Sequence, residues 1–241
     1  MIPTISIISS AARPELWLNL YDSINDTIDF EVVFVGPNSP DYTLPDNFNF
    51  IESSVKPVQC WEIATRNAKG KYLTFIPDDV FFIVENALST MVTEFESYDI
   101  DELILSYRYV NSEGLFPLEV HRHINYSNIY MPIGFTILNS YYRHLGGLDK
   151  NFIALYWDLD LCFRVVEDGG ITALSNVIIK DIDILNCGGL YSEFYQIDQF
   201  QTLSRIWPFL PNTPFKRTTP LEPFIDYSIL TESQGPKGRW L

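Results

Sequence analysis

An α/β domain built on a mostly parallel sheet is the fold that this sequence predicts, and three observations carry it. Over residues 1–100, short apolar and β-branched runs alternate with stripes of helical period. Those runs are apolar at nearly every position rather than at every second one, as in strands covered on both faces. At 241 residues, 46% apolar and 20% charged, the chain is long enough to bury a full core without disulfides or a structural metal.

Thr4–Ile8 opens the pattern as a strand, closed by Ser9-Ser10-Ala11-Ala12. Pro14 suits the first turn of a helix, in which Leu16, Trp17, Leu20, Tyr21 and Ile24 recur at helical spacing. Phe30–Val35 is a second strand, ended by the turn formers Gly36-Pro37-Asn38-Ser39-Pro40, and Phe48–Ile51 a third. Val58, Trp61, Ala64/Thr65 and Ala68 make the next helical stripe, with Gly70 as its stop. Tyr72–Ile76 is a fourth strand that runs into Pro77-Asp78-Asp79, and Ala87/Leu88, Met91/Val92 and Phe95 mark a third helix.

The second half is less regular. It predicts a strand at Leu103–Val110, a short helix at Tyr141–Leu145 ended by Gly146-Gly147, and a helix from about Asp158 with Leu159, Cys162/Phe163 and Val166 on one face. A strand at Val177–Leu185 follows, then a helical stripe of Ile197, Phe200, Leu203/Ser204 and Trp207. Six prolines in the 34 residues 208–241 predict an extended tail, wrapping or partly mobile.

The formal net charge of −15 argues against a large sequence-independent grip on nucleic acid or anionic membrane. Cys60, Cys162 and Cys187 are too few and too scattered for a disulfide framework or a zinc site, and their apolar neighbours make them small core residues. The N-terminus has no basic n-region, and no run approaches the ~18–20 apolar residues that span a bilayer. The expectation is a soluble, intracellular and cytoplasmic protein.

In open α/β sheets ligands bind at the carboxyl ends of strands, which here are Ser9–Arg13, Gly36–Ser39 and Asp78-Asp79. The phosphate loop and the GxGxxG fingerprint are both absent. Adjacent carboxylates at a strand end suit a hard divalent cation on a diphosphate; Asp also favours turns and helix N-caps. Asp158 falls at a helix N-terminus, with Asp160 and Arg164 spaced for an i,i+4 surface ion pair. His121 and His123 flank Arg122 on one strand face or in a solvated loop, and His144 reads as structural. None of them completes a Ser-His-Asp or zinc constellation.

Taken together and in this order, these segments resemble the inverting family 2 glycosyltransferases of A-type nucleotide-sugar fold. Thr4-Ile5-Ser6-Ile7-Ile8-Ser9-Ser10 with Arg13-Pro14-Glu15-Leu16 is similar to that family's opening strand and helix, Arg66-Asn67 to its Arg-Asn, and Asp78-Asp79 to its DxD-type pair. Gly146-Gly147-Leu148-Asp149 resembles its Gly-Gly-Phe-Asp segment, and Trp157-Asp158-Leu159-Asp160-Leu161-Cys162-Phe163-Arg164 its Glu-Asp-x-Asp-Leu-x-x-Arg motif. Asp198-Gln199-Phe200 with Trp207 resembles its late Asp-x-x-Phe helix, so the likeness covers about residues 3–207.

The resemblance implies one A-type domain over residues 1–207, with a nucleotide-binding half (1–100) and an acceptor-binding half (101–207), followed by the tail 208–241. It implies transfer of a sugar from a nucleoside diphosphate donor, a UDP-sugar first, to a hydroxyl of a glycan or glycoconjugate, with inversion. Asp79 would coordinate Mn²⁺ or Mg²⁺, and Asp78 would contact the ribose or a metal-bound water. Ser9, Arg13, Ser39 and Arg66 would line the nucleotide pocket, and Asp158 would be the general base. The chain departs from the family at Ala11, where an aromatic is usual. It also lacks an acid in Gly36-Pro37-Asn38-Ser39 and a late histidine for the metal, for which Asp183 and Asn186 are the nearest stand-ins. Trp157, in place of the motif's first acid, stacks on a sugar or packs in the core. Lys216, Arg217, Lys237 and Arg239 suggest a tail that orders over bound donor or acceptor. The competing reading is a catalytically inactive relative that binds sugar or nucleotide as a scaffold; the presence of Asp78, Asp79 and Asp158 together favours the enzyme.

Overall fold

Ile5, Ile7 and Ile8 have no accessible surface, as a strand in the middle of a covered sheet requires. That strand, β1 (Ile5–Ser10), pairs in parallel with β2 (Phe30–Gly36) and β4 (Tyr72–Phe75), and β2 pairs in parallel with β3 (Phe48–Glu52). The computed structural model describes residues 2–111, 114–116, 119–121, 129–130, 133–182, 194, 196–208 and 216–237. Within them a nine-stranded mixed sheet runs β3-β2-β1-β4-β10-β6-β11-β5, with β7 paired to β6 alone. The remaining strands are β5 (Val80–Phe82), β6 (Leu103–Asn111), β7 (Gly114–Phe116), β10 (Phe135–Leu138) and β11 (Ile171–Asp181), and β8 (Glu119–His121) pairs with β9 (Ile129–Tyr130) in a separate ribbon. β10 is antiparallel to both β4 and β6, β11 runs parallel to β6, and β5 closes the edge antiparallel to β11.

The helices are α1 (Pro14–Asp22), α2 (Pro57–Asn67), α3 (Ala87–Glu96), α4 (Asn139–His144) and α5 (Trp157–Glu167), then a π-helical segment Gln196–Leu203 continued by α6 (Ser204–Ile206). Pro14 and Pro57 stand in the first turns of α1 and α2, where a missing N–H costs nothing. No helix among the described residues is long and apolar enough to cross a membrane.

Several elements differ from expectation, among them two short strands and the last long one. β5 and β10 are three and four residues long, too short for a period to show. The last strand begins at Ile171 rather than Val177, with a register shift between Leu174 and Ile178 where Ser175 and Asn176 interrupt the apolar run. Its expected end at Leu185, Cys187, and the candidates His123, Asp183 and Asn186 lie outside the described residues.

The tail segment 216–237 is packed on the body. Gln59 of α2 donates to the carbonyls of Ile229 and Glu232 and accepts the N–H of Gln234, so one buried side chain holds a turn of the tail by three bonds. The Ser53 hydroxyl donates to the Leu230 carbonyl, Phe224 is buried, and Arg217 pairs with both Asp149 and Asp160. Arg217 is therefore committed to internal carboxylates, which corrects its expected part in a mobile cationic tail; Arg239 lies outside the described residues.

Candidate functional site at the carboxyl edge of the sheet

The site is built where β1, β2, β3 and β4 end. A Cβ on Gly36 would lie 1.6 Å from the Ala11 carbonyl oxygen, so only glycine lets the end of β2 press against the β1–α1 turn. Asn38 donates to the Ala12 carbonyl at 2.7 Å and Ala11 donates to Val35 at 2.8 Å, tying the two turns together. Ser39, one residue beyond, is exposed and donates to Glu52 Oε2 at 2.7 Å. Glu52 ends β3 directly opposite Gly36. Glu52 thus brings a carboxylate beside the β2 turn, and the signal for it was an acid closing the apolar run Phe48–Ile51.

Asp78 and Asp79 divide their work. Asp78 Oδ2 accepts the backbone N–H of Ala12 and of Arg13, both at 2.8 Å, with Trp17 Nε1 at 3.4 Å, while Oδ1 accepts Arg13 Nη2 at 2.5 Å and Nε at 3.2 Å. Both oxygens are taken by protein donors, so Asp78 fixes the β1–α1 turn. That corrects the expectation that it contacts a metal or ribose. Asp79 Oδ2 meets Arg13 Nη1 at 2.7 Å. Burial pushes the Asp79 carboxyl up and the Arg13 charge opposes it, while Asp78 adds to the upward shift.

Among the described residues no group of three metal-ligating side chains occurs. Asp79 nonetheless fits a magnesium- or manganese-type ion as a single protein carboxylate, because such ions take one or two carboxylates and complete their shell with water and substrate phosphate.

Ser9 reaches the same edge but is fully buried, with its hydroxyl turned to the Ser10 carbonyl at 3.3 Å. It belongs to the strand, which corrects its expected place in a pocket. Arg66 is not brought to the site either. α2 begins near the end of β3 and runs back toward the start of β4, and just beyond it Gly70 donates to Ser6 near the start of β1. Arg66 therefore stands at the opposite edge, where it pairs with Glu62 at 2.8 Å and stacks on Tyr227 at 4.3 Å.

Asp158 opens α5. Trp157 before it packs on Phe75, the last residue of β4, at 5.5 Å and on Trp61 at 5.1 Å. This indole is a core anchor, and it sets the start of α5 beside the strand end that leads to Asp78-Asp79. Asp158 Oδ1 accepts the Leu159 N–H at 2.8 Å, and no Lys or Arg pairs with Asp158 among the described residues. Burial pushes its carboxyl up to about 6, against the Leu159 N–H, which lowers it.

Two buried acids, Asp198 and Asp160, support this helix. Asp198 accepts the N–H groups of Ile153, Ala154 and Leu155 at 2.9, 2.8 and 2.8 Å, clamping the loop that leads into α5. Asp160 pairs with Arg164 at 2.9 Å, as its spacing predicts, but the pair is buried rather than on the surface and also binds Trp207 Nε1 at 2.8 Å and Arg217 at 2.6 Å. Arg164 reaches on to the carbonyls of Leu145 and Gly147, whose turn needs positive φ at Gly146 and Gly147 (86° and 79°).

The fold is that of a glycosyltransferase domain. A crystal structure of S. aureus TarS 1–349 matches at TM-score 0.53 and 15% identity, covering 75% of this chain and 58% of that one. A second S. aureus TarS crystal structure matches at TM-score 0.53 and 17% identity, covering 75% of this chain and 35% of that one. The chain thus spans less than two thirds of either structure. No protein-family model matches the sequence, and no curated protein matches it.

Proposed function

We propose that this protein is an inverting glycosyltransferase, moving a sugar from a nucleoside diphosphate donor to a hydroxyl of a glycan or glycoconjugate. One observation carries the reading. Asp158 is a carboxylate that pairs with no Lys or Arg among the described residues, at the start of a helix anchored beside the strand end that leads to Asp78-Asp79, in a glycosyltransferase fold. A carboxyl pushed up to about 6 is ionised at neutral pH yet basic enough to hold a proton in the transition state. Asp158 would take the proton of the acceptor hydroxyl as that oxygen attacks the anomeric carbon. Attack from the side opposite the leaving diphosphate inverts the configuration.

A divalent cation, Mn²⁺ or Mg²⁺, held by Asp79 would supply Lewis-acid stabilisation of the leaving diphosphate. Arg13 would bind the phosphates and Asp78 would hold Arg13 and its turn in place. Ser39 and Glu52 would meet the nucleobase, where a carboxylate accepts a ring N–H such as that of uracil; this favours a UDP-sugar as the first donor to try.

The test is a panel of nucleotide-sugars with Mn²⁺, scored for slow donor hydrolysis, which needs no acceptor. We expect one donor to be consumed above background and the rate to fall in Asp158→Asn. Nucleotide binding without consumption of any donor would leave the non-catalytic sugar- or nucleotide-binding scaffold in its place.

A further inference from the structure

Arg13 lies across both adjacent carboxylates, and its two arms are unequal. Toward Asp78 it offers Nη2, Nε and its own backbone N–H, and that carboxylate is only 3% exposed. Toward Asp79 it offers Nη1 alone, at 2.7 Å, between side chains 24% and 23% exposed. Asp78 is therefore held by more donors of Arg13 than Asp79 is, and Asp79 is the more exposed of the two carboxylates.

We infer that Arg13 is a latch on the cation site: without donor its guanidinium takes the place on Asp79 that a divalent cation would take, and the donor diphosphate draws it away. The inference rests on the reading of Asp79 as the cation-holding carboxylate. A cation on Asp79 Oδ2 would stand next to a guanidinium already in contact with that oxygen, and like charges at that range repel strongly in a partly buried site. A diphosphate reverses the balance. It offers the guanidinium paired anionic oxygens, the acceptors that suit its planar fork, and it gives the cation ligands besides Asp79. Release of Asp79 breaks one guanidinium contact and leaves those to Asp78 in place. Cation and donor should therefore enter together, each raising the other's affinity by the same factor.

Nucleoside diphosphates bind Mn²⁺ in solution, so the decisive measurement is made without nucleotide. The free Mn²⁺ signal in electron paramagnetic resonance is titrated with full-length wild type, Arg13→Gln, Arg13→Lys and the double variant Arg13→Gln/Asp79→Asn, with thermal melts as the folding control. The latch predicts that Arg13→Gln binds Mn²⁺ about 5–150-fold more tightly than wild type, the range of ordinary site-to-site coupling. Arg13→Lys, still positive but without the fork, falls between them, and the double variant loses the gain. With UDP present, Arg13→Gln shows a smaller increase in Mn²⁺ affinity than wild type.

Equal nucleotide-free affinities in wild type and a folded Arg13→Gln, with Mn²⁺ still bound beside UDP, overturn the latch and leave the Asp79 site standing. Should Arg13→Gln fail to fold, Arg13→Lys carries the same comparison. If UDP binds but no form of the protein takes up Mn²⁺ beyond the nucleotide's own share, the cation reading of Asp79 falls and the latch falls with it.

Discussion

Asp198 accepts the backbone N–H of Leu155 at 2.8 Å, three residues ahead of Asp158. Ile153 and Ala154 donate to the same carboxylate, which is fully buried. The π-helical segment thus sets the entry angle of α5, and the position of its first carboxylate with it. Asn at this position keeps one oxygen and turns an amide N–H₂ toward N–H donors. A buried donor left unsatisfied costs about 1–3 kcal/mol. Asp198→Asn should lower the melting temperature by roughly 2–12 °C at this chain length. It should also reduce turnover while leaving nucleotide affinity near wild type, which calorimetry and initial rates separate. An equal loss in both would mean that the loop serves the nucleotide site instead.

Arg217 joins the tail to the body through two buried carboxylates, Asp149 and Asp160. Removing one partner of a buried ion pair leaves a charge without compensation, at a cost of about 3–5 kcal/mol. Arg217→Met should therefore be strongly destabilising in a denaturant titration, and it should speed proteolysis within 216–237. Adding Asp149→Asn should recover part of the loss, because one stranded charge is removed. A purely additive double-mutant cycle would show that the two side chains do not interact.

The first half of the fold was legible because buried parallel strands read as unbroken apolar runs and because Pro14 and Pro57 mark helix starts. Asp79, Arg13 and Ser39 were legible as residues at strand ends, and Asp158 as the start of an amphipathic stripe. Asp78 misled, because what occupies its oxygens comes from a turn 65 residues away in sequence. Arg66 misled differently: its motif looked right, but the direction of α2 puts it at the far edge of the sheet. Glu62 was not singled out at all. It sits fully inside α2, and its partners Tyr142 and Leu148 lie 80 and 86 residues further on. Buried charges of this kind are invisible to periodicity, which expects apolar residues on an inward face.

Lys56 makes the same point and supplies a pH signature. It is fully buried beneath the Phe224 ring, and its ammonium donates to the Lys150 carbonyl. Burial pulls it down to about 7, with Asp198 and Asp149 opposing. Between that value and the ordinary lysine value of 10.5 the unfolded chain holds a proton that the folded chain does not. Folding stability should therefore rise with pH through this window and lose the contribution from Lys56 below it. Lys56→Met removes the group, so its stability profile should be flatter than wild type from pH 7 to 10. Parallel profiles would mean that the lysine stays charged in the folded protein.

The general-base role of Asp158 makes a prediction that a purely structural role does not. As the base it must be ionised, so the rate at low substrate should rise with pH through about 6 and level off above it. Asp158→Asn keeps the shape and much of the polarity but cannot accept the proton. Transfer should fall by ~10²–10⁴-fold, with the limb near pH 6 abolished. Stability should move the other way. Because the folded carboxyl lies above the ordinary value of 3.8, its ionised form is disfavoured in the folded state. That penalty is absent below the unfolded value and complete above the folded one. Asp158→Asn should accordingly match wild type in stability near pH 3.5 and equal or exceed it at pH 7.5, while losing nearly all turnover there. A mere helix-start residue would behave differently: Asn caps a helix about as well as Asp, and activity would survive. Turnover within a few-fold of wild type, with the pH limb intact, would move the base elsewhere. Asp160 would be a poor successor, because its oxygens are held by Arg164, Arg217 and Trp207.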